Sequence, residues 1–312
     1  MTNALMAEGE AMLRAVVADL RAIGDLDIVV ARDDGLPPLP DGIEILRVAD
    51  NRIEERWSDC ITTCDAALIV APETGGFLER LNRIVIERPI QLLGCGPYAV
   101  AITASKFATT QCLARAGIPV VETLPWSETA SAGMKPAAHG WIVKPDDGVG
   151  SQDVVHLRDR RALAGVRPVA GARVIQPYVA GRAMSLTVLC AAGGARVMAC
   201  NEQLQSRHDE ALMQIGVIVN GAAERIEAMA TLAGAVVAAI PGLRGYVGID
   251  LIDAEGGPVV LEVNPRLTTA YVGLSQSLQA NAAALMLDAL TGDDRYMHRR
   301  FGREPVRVEF HP

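Results

Sequence analysis

The chain has 312 residues and a formal net charge of −8, with 50% of its residues hydrophobic and only 4% aromatic. That size and composition suit a folded enzyme of two or three lobes and exclude a small binding module or a disordered chain. The surplus of acids argues against a nucleic-acid partner, because neutralising phosphates needs clustered Lys and Arg.

The short basic runs Arg158-Asp159-Arg160-Arg161 and His298-Arg299-Arg300 read as solvated faces. Glu8 and Glu10 stand where a secretion signal would be basic, and no apolar run reaches the roughly 18 residues that span a bilayer. A cytoplasmic protein with no membrane partner is expected. Cys60, Cys64, Cys95, Cys112, Cys190 and Cys200 lack the spacing of zinc sites and read as reduced thiols.

Apolar residues recur near a 3.6 period over residues 4–23, which predicts an amphipathic helix. A short strand at 27–30, a Gly/Pro break, a strand at 44–48 and a helix at 52–60 follow. The run Asp65-Ala66-Ala67-Leu68-Ile69-Val70-Ala71-Pro72 reads as a fully buried parallel strand. Binding groups cluster at the carboxyl ends of such strands, so Glu73 and Thr74 are candidate substrate contacts, with solvated loop residues as the alternative. Residues 89–93 lead into Gly94-Cys95-Gly96-Pro97, which lacks the third glycine of a dinucleotide fingerprint and reads as a turn.

From Thr103 a helix is predicted with Thr103 as its cap, Lys106 in its first turn and a stop at Gly117-Ile118-Pro119. Strands are expected at 141–144, 154–156, 173–176 and 185–190, with a helical stretch before 173. An Ala-rich helix at 222–240, strands at 245–252 and 258–263, and one final helix over 274–290 complete the chain.

Three features carry chemistry together. Lys106 and Lys144 would neutralise nucleotide phosphates if they converge. In Lys144-Pro145-Asp146-Asp147-Gly148-Val149-Gly150-Ser151, Gly148 and Gly150 let successive backbone N–H groups face an anion, and Ser151 adds a hydroxyl; an ordinary hairpin turn is the alternative. The lysine precedes the glycines, so this is not a Walker loop. Finally, a hairpin across residues 253–257 would set Asp250 opposite Glu262 and Asn264, which share one strand face. Two carboxylates and an amide are hard oxygen donors suited to Mg2+, and a satisfied polar network is the alternative.

With these positions assembled, the sequence resembles the ATP-grasp superfamily of carboxylate-amine ligases over nearly its whole length. The motifs are Ser105-Lys106, Val143-Lys144-Pro145 with the glycine loop, Gln176-Pro177-Tyr178-Val179-Ala180-Gly181, Gly248-Ile249-Asp250 and Glu262-Val263-Asn264-Pro265-Arg266. The resemblance implies an α/β and α+β architecture: a Rossmann-like preATP-grasp lobe at 1–103, a small ATP-grasp lobe at 104–182 and a C-terminal lobe with a metal site at 183–312. It assigns Lys106 and Lys144 to ATP phosphates, and Gln176, Pro177, Tyr178 and Val179 to the adenine-contacting hinge. Asp250, Glu262 and Asn264 fall to Mg2+, with Mn2+ as a substitute.

Two positions depart from the pattern. Ser105 stands where an Asp often precedes the first lysine, and Ala183 where many members carry an acid for the ribose hydroxyls.

The segments Ala71-Pro72-Glu73-Thr74-Gly75-Gly76, Cys200-Asn201-Glu202-Gln203 and Asn264-Pro265-Arg266-Leu267-Thr268-Thr269 are similar to the tyramine-glutamate ligases of methanofuran biosynthesis. That likeness implies glutamate as the activated acid and tyramine or a relative as the amine, and adds Asn201 and Gln203 as substrate contacts. The expected reaction is phosphorylation of a carboxylate by ATP, aided by the metal and both lysines, then attack by an amine. Arg266 would hold the carboxylate or the oxyanion, with Thr268 and Thr269 orienting substrate, against an exposed structural arginine as the alternative. Small-molecule acid and amine are the expected partners, with at most a second copy of the chain in a homodimer. A ligase for other amino acids, of dipeptide or D-alanine–D-alanine type, a small-molecule kinase and a nucleotide sensor are the competing readings.

Overall fold

The computed structural model describes residues 3–33, 35–48, 52–126, 137–150, 153–158, 171–191, 194–208, 211–292 and 295–309. Helix α1 (Asn3–Ile23) turns Met12, Val16 and Val17 inward, as its apolar period predicts. Strands β1 (Val29–Asp33) and β2 (Glu44–Val48) pair in parallel and lead to α2 (Ile53–Cys60).

The run at 65–72 is ordered differently from expectation. Only β3 (Ala66–Ala67) pairs, in parallel with β4 (Gln91–Leu92), and α3 (Phe77–Ile86) lies between them. Its apolar residues are still packed: Ala67 and Ile69 are buried, so side-chain burial rather than ladder hydrogen bonding explains the hydrophobic run.

Gly94-Cys95-Gly96-Pro97 is not a free turn. Gly96 donates its N–H to the Gly242 carbonyl at 2.8 Å, and Pro97 opens α4 (Pro97–Ala104), whose first turn needs no proline N–H. Thr103 therefore lies inside α4 and bonds back to the Ala99 carbonyl; Ser105, not Thr103, caps α5 (Lys106–Arg115).

A small group of strands follows: β5 (Leu124–Pro125), β6 (Trp141–Pro145), β7 (Val155–Leu157) and β8 (Arg173–Pro177). The helix expected before residue 173 falls outside the described residues. Next come the long strands β9 (Arg182–Ala191), β10 (Gly194–His208) and β11 (Ala211–Val219), helix α6 (Ile226–Ala239), and strands β12 (Gly245–Ala254) and β13 (Gly257–Asn264). The stretch expected as one terminal helix is two, α7 (Tyr271–Leu278) and α8 (Ala282–Thr291). Gln279 takes a left-handed φ of 52° between them, and Asn281 caps the second by accepting from Ala284 N. Helix α9 (Arg295–His298) and strand β14 (Val306–Glu309) end the described chain.

The long sheet runs β13-β12-β9-β10-β11-β7-β6-β8-β5, with β14 added beside β11. Among the described residues its two halves join where Ala211 pairs with Val155 and Leu212 N donates to the Val154 carbonyl. One face of the larger half is apolar along most of its length: Met184, Leu186, Val188, Ile249 and Val263 pack on Met229, Ala233 and Val236 of α6. The other face changes along the strands. Leu189 and Tyr246 are covered by Tyr271, Leu274 and α1, whereas two to four residues further along stand Thr187, Ser185 and Asp250. That polar end is where the two halves of the sheet meet. No helix among the described residues is long and apolar enough to cross a membrane.

Candidate active site

Strands β12 and β13 pair antiparallel with Asp250 opposite Glu262 and Gly248 opposite Asn264. Immediately beyond, the register shifts so that Leu251 meets Val260. That bulge leaves Leu261 as an extra residue and twists the strand beside the carboxylates. Asp250 is held from two sides: Asn264 Nδ2 donates to its Oδ2 at 3.1 Å and Gln203 Nε2 to its Oδ1 at 3.0 Å.

Both predicted lysines converge on the same place. Lys106 Nζ lies 3.4 Å and Lys144 Nζ 3.8 Å from Glu262 Oε2, and Lys106 Nζ also donates to the Gly148 carbonyl at 2.7 Å. Burial, followed by the neighbouring Glu262, pushes Asp250 up to about 8. Burial would raise Glu262 as well, but the Lys106 and Lys144 ammonium groups outweigh it and hold that carboxyl low. These shifts favour one proton held between the opposed carboxylates, with both lysines facing the ionised Glu262.

This donor set fits a hard divalent cation, which would replace the shared proton and take oxygens from Asp250, Glu262 and the Asn264 amide. Among the described residues no cluster of three or more His, Cys, Asp or Glu is available, so an amide must complete the protein's share.

The glycine loop is anchored to the start of α5. Ser105 Oγ accepts from Ala108 N and donates to Asp146 Oδ2 at 2.7 Å, while Phe107 N donates to Asp146 Oδ1 at 2.8 Å. A carboxylate at a helix N-terminus satisfies orphan donors and opposes the dipole favourably. Thr74 Oγ1 and Gly75 N add bonds to the Asp147 carbonyl and Oδ2 at 2.9 and 3.2 Å. The loop's glycines are sterically required: a Cβ on Gly148 would lie 2.8 Å from Pro145 Cβ, and Gly150 has φ of +65°. Ser151 lies outside the described residues.

Lys106, Lys144, Asp250 and Glu262 form one end of a solvent-open cleft of about 950 Å3 between the two halves of the sheet. Gln176, Pro177, Tyr178 and Val179 line it as well. The Gln176 amide, however, is buried and donates to Thr123 Oγ1 at 2.8 Å, so this segment is held by its side chain. Tyr178 stacks on His156 with centroids 4.3 Å apart, and His156 Nε2 meets the His139 carbonyl at 2.7 Å.

A family model for the ATP-grasp domain matches residues 103–270, and one for the pre ATP-grasp 3 domain matches residues 26–100. The chain belongs to the ATP-grasp family. The chain is similar to the tyramine–L-glutamate ligase of Methanocaldococcus jannaschii, at 27% identity over 74% of this chain and 66% of that relative, just under two thirds of its length. The corresponding ligase of Methanocaldococcus fervens is 24% identical over 86% of this chain and 83% of its own. These matches bear out the resemblance to carboxylate-amine ligases of the tyramine-glutamate type.

Solved structures share the ATP-grasp fold. An L-amino acid ligase from Bacillus licheniformis superposes with a TM-score of 0.73 at 17% identity, covering 91% of this chain and 73% of its own. The biotin carboxylase domain of the Hydrogenobacter thermophilus 2-oxoglutarate carboxylase, solved with MgADP and bicarbonate, has a TM-score of 0.73 at 16% identity, covering 96% and 70%.

The substrate residues expected from sequence are distributed unevenly around this ATP-grasp centre. Arg266 is not exposed: its Nε donates to Glu73 Oε2 at 2.8 Å, and Glu73 is only 4% exposed. The two candidates are thus each other's partner, 193 residues apart in sequence. Thr268 Oγ1 lies 2.7 Å from Tyr246 OH, behind Gly248. Thr269 accepts the N–H of Val272 with its carbonyl at the start of α7. Asn201 is fully buried, accepting from Asn220 N and facing Ser185 Oγ and Thr187 Oγ1, so it braces strands. Gln203 does reach the centre. Sequence reasoning missed Asp146, Asp147 and His156, and their spacing alone carries no signal that would find them.

Proposed function

We propose that this chain is an ADP-forming carbon–nitrogen ligase that phosphorylates a carboxylate with ATP and joins the resulting acyl group to an amine. The observation that carries the reading is the convergence of Lys106 and Lys144 on Glu262, opposite Asp250, at the end of the cleft between the two halves of the sheet. Two buried ammonium groups that share one carboxylate are poised to exchange it for phosphate oxygens.

In this reading Lys106 and Lys144 bind the transferred phosphoryl group and offset charge developing on its oxygens. Asp250, Glu262 and Asn264 hold Mg2+, which when bound supplies Lewis-acid neutralisation of the phosphates. Mn2+ is a substitute of the same donor preference. Gly148 and Gly150 let the loop backbone cover the phosphates, with Ser151 alongside, and residues 176–179 border the base. Arg266 holds the acid substrate's carboxylate, exchanging part of its bond to Glu73 for it; Thr268 and Thr269 flank that place. Residues 1–103 form the preATP-grasp lobe, 104–182 the small lobe and 183–312 the metal-bearing lobe of a cytoplasmic enzyme.

Because both methanogen relatives are tyramine–L-glutamate ligases, glutamate and tyramine are the first pair to test. Purified protein with ATP and Mg2+ is expected to release ADP and phosphate only when acid and amine are both present, with the amide seen by mass spectrometry. Formation of AMP would overturn the reading. Phosphorylation that ignores the amine would make the protein a kinase instead.

A further inference from the structure

The wall of the cleft formed by β10 and β11 carries amides that none of the assignments above uses. The strand register shows how they lie relative to the carboxylates. Asn201, Ser185, Asp250 and Glu262 form one row across β10, β9, β12 and β13. Two residues further along, Ile252 pairs with Ala183, and Gln203 stands on the same face of β10. Neither Ala183 nor Ile252 has a side chain that hydrogen-bonds, and the Gln203 amide is already committed to Asp250. One further step of about 7 Å brings Gln205, directly paired with Gln214 of β11.

Gln205 and Gln214 both line the cleft together with Tyr178 and Val179 of the opposite wall. Cross-strand partners hold their Cβ atoms about 5 Å apart, so two amides can converge on adjacent hydroxyls of one ligand. Gln214 makes only a 3.5 Å contact with the Gly216 carbonyl, and Gln205 is exposed to the cleft. A register shift between Leu204 and Gln205 sets this pair: Leu204 meets Gly216, whereas Gln205 meets Gln214. The bulge thereby aims the amides at the cleft.

We propose that Gln205 and Gln214 bind the sugar hydroxyls of the nucleotide and make the site selective for ribonucleotides. This rests on the reading of the cleft as an ATP site. With phosphates at Lys106 and Lys144, the sugar falls one or two strand steps away, where, among the described residues, Gln205 and Gln214 are the amides of the β10–β11 wall not committed to Asp250. Each amide offers both a donor and an acceptor, which matches a hydroxyl that both gives and takes a hydrogen bond. The recognition is neutral, so it adds no charge to the cluster of two lysines and two carboxylates at the phosphate end.

Calorimetry with Mg2+ and either ATP, 2′-deoxyATP or inorganic tripolyphosphate tests this on the wild type, Gln205→Leu, Gln214→Leu and the double variant. The wild type is expected to bind ATP about tenfold more tightly than 2′-deoxyATP, the ratio one hydrogen bond supplies. That ratio falls towards one in the double variant, while tripolyphosphate affinity stays unchanged and shows an intact phosphate end. An unchanged ATP to 2′-deoxyATP ratio in the double variant overturns the sugar assignment. So does a variant that alters preference between ATP and GTP while leaving the deoxy ratio intact, which would put the amides at the base. If the wild type binds neither nucleotide, the ATP site itself is wrong and the sugar assignment goes with it.

Discussion

Asp250 and Glu262 face each other as equals in sequence, yet their surroundings give them different roles. Glu262 is held ionised by two lysines, whereas burial and the neighbouring Glu262 push Asp250 up to about 8, against the lowering effect of the Asn264 amide that donates to it. Asp250→Asn keeps the shape but sets an NH2 against one of the two amide donors, which must turn over to meet it, so in EDTA at pH 7 it is expected to cost about 1–2 kcal/mol. Glu262→Gln instead leaves two buried ammonium groups facing each other and is expected to lower the melting temperature clearly. Both variants should lose on the order of 100-fold in metal-dependent turnover.

The pH dependence follows from the sign of the shift. A folded-state carboxyl titrating near 8 binds more protons than its unfolded counterpart, ordinarily near 3.8, so its contribution to stability declines as pH rises between those values. Metal-free wild type should therefore lose more stability from pH 5 to pH 8, in roughly this window, than metal-free Asp250→Asn. Parallel denaturation curves for the two proteins would contradict the shared proton.

At the level of elements, the junction between the glycine loop and α5 is the joint that places Lys106. The residues 105–107 were readable as a helix start, but Thr103 was the expected cap, because a hydroxyl before an apolar helical stretch looks alike at either position. The tertiary partner distinguishes them: Asp146 comes from a loop 41 residues away and bonds to Ser105. Asp146→Ala is expected to cost about 1–2 kcal/mol as a lost cap. It should also raise KM for ATP several-fold, with Asp146→Asn retaining most of the function, because an amide can still accept from Phe107 N. Equal KM values in Asp146→Ala and wild type would separate the cap from the nucleotide site. The break between α7 and α8 was hidden for a related reason: the residues around Gln279 are ordinary helix formers, and packing on α1 turns the chain there.

Across the whole molecule, the buried Glu73–Arg266 pair ties the pre ATP-grasp region to the end of the β12–β13 hairpin. Removing one partner of such a pair strands a buried charge, so Arg266→Met is expected to lose about 3–5 kcal/mol. Glu73→Gln combined with Arg266→Met should recover much of that stability while leaving turnover poor. Thermal unfolding and activity measured on the same preparations check both halves; full activity in the stable double variant would remove Arg266 from substrate binding.

The sequence by itself determined the features that depend on local periodicity. Asp250 opposite Glu262, Asn264 on the same face, and the glycines after Lys144 follow from strand alternation, a short hairpin and backbone conformations that reject a Cβ. Tertiary structure decided which distant residues share those neighbours. It turned the two separately chosen candidates Glu73 and Arg266 into a pair, withdrew Asn201 into the strands, and brought Gln203 onto Asp250. Strand period limits which face a residue occupies, but lateral strand order and helix packing, set by burial of the large apolar faces, determine what that face meets.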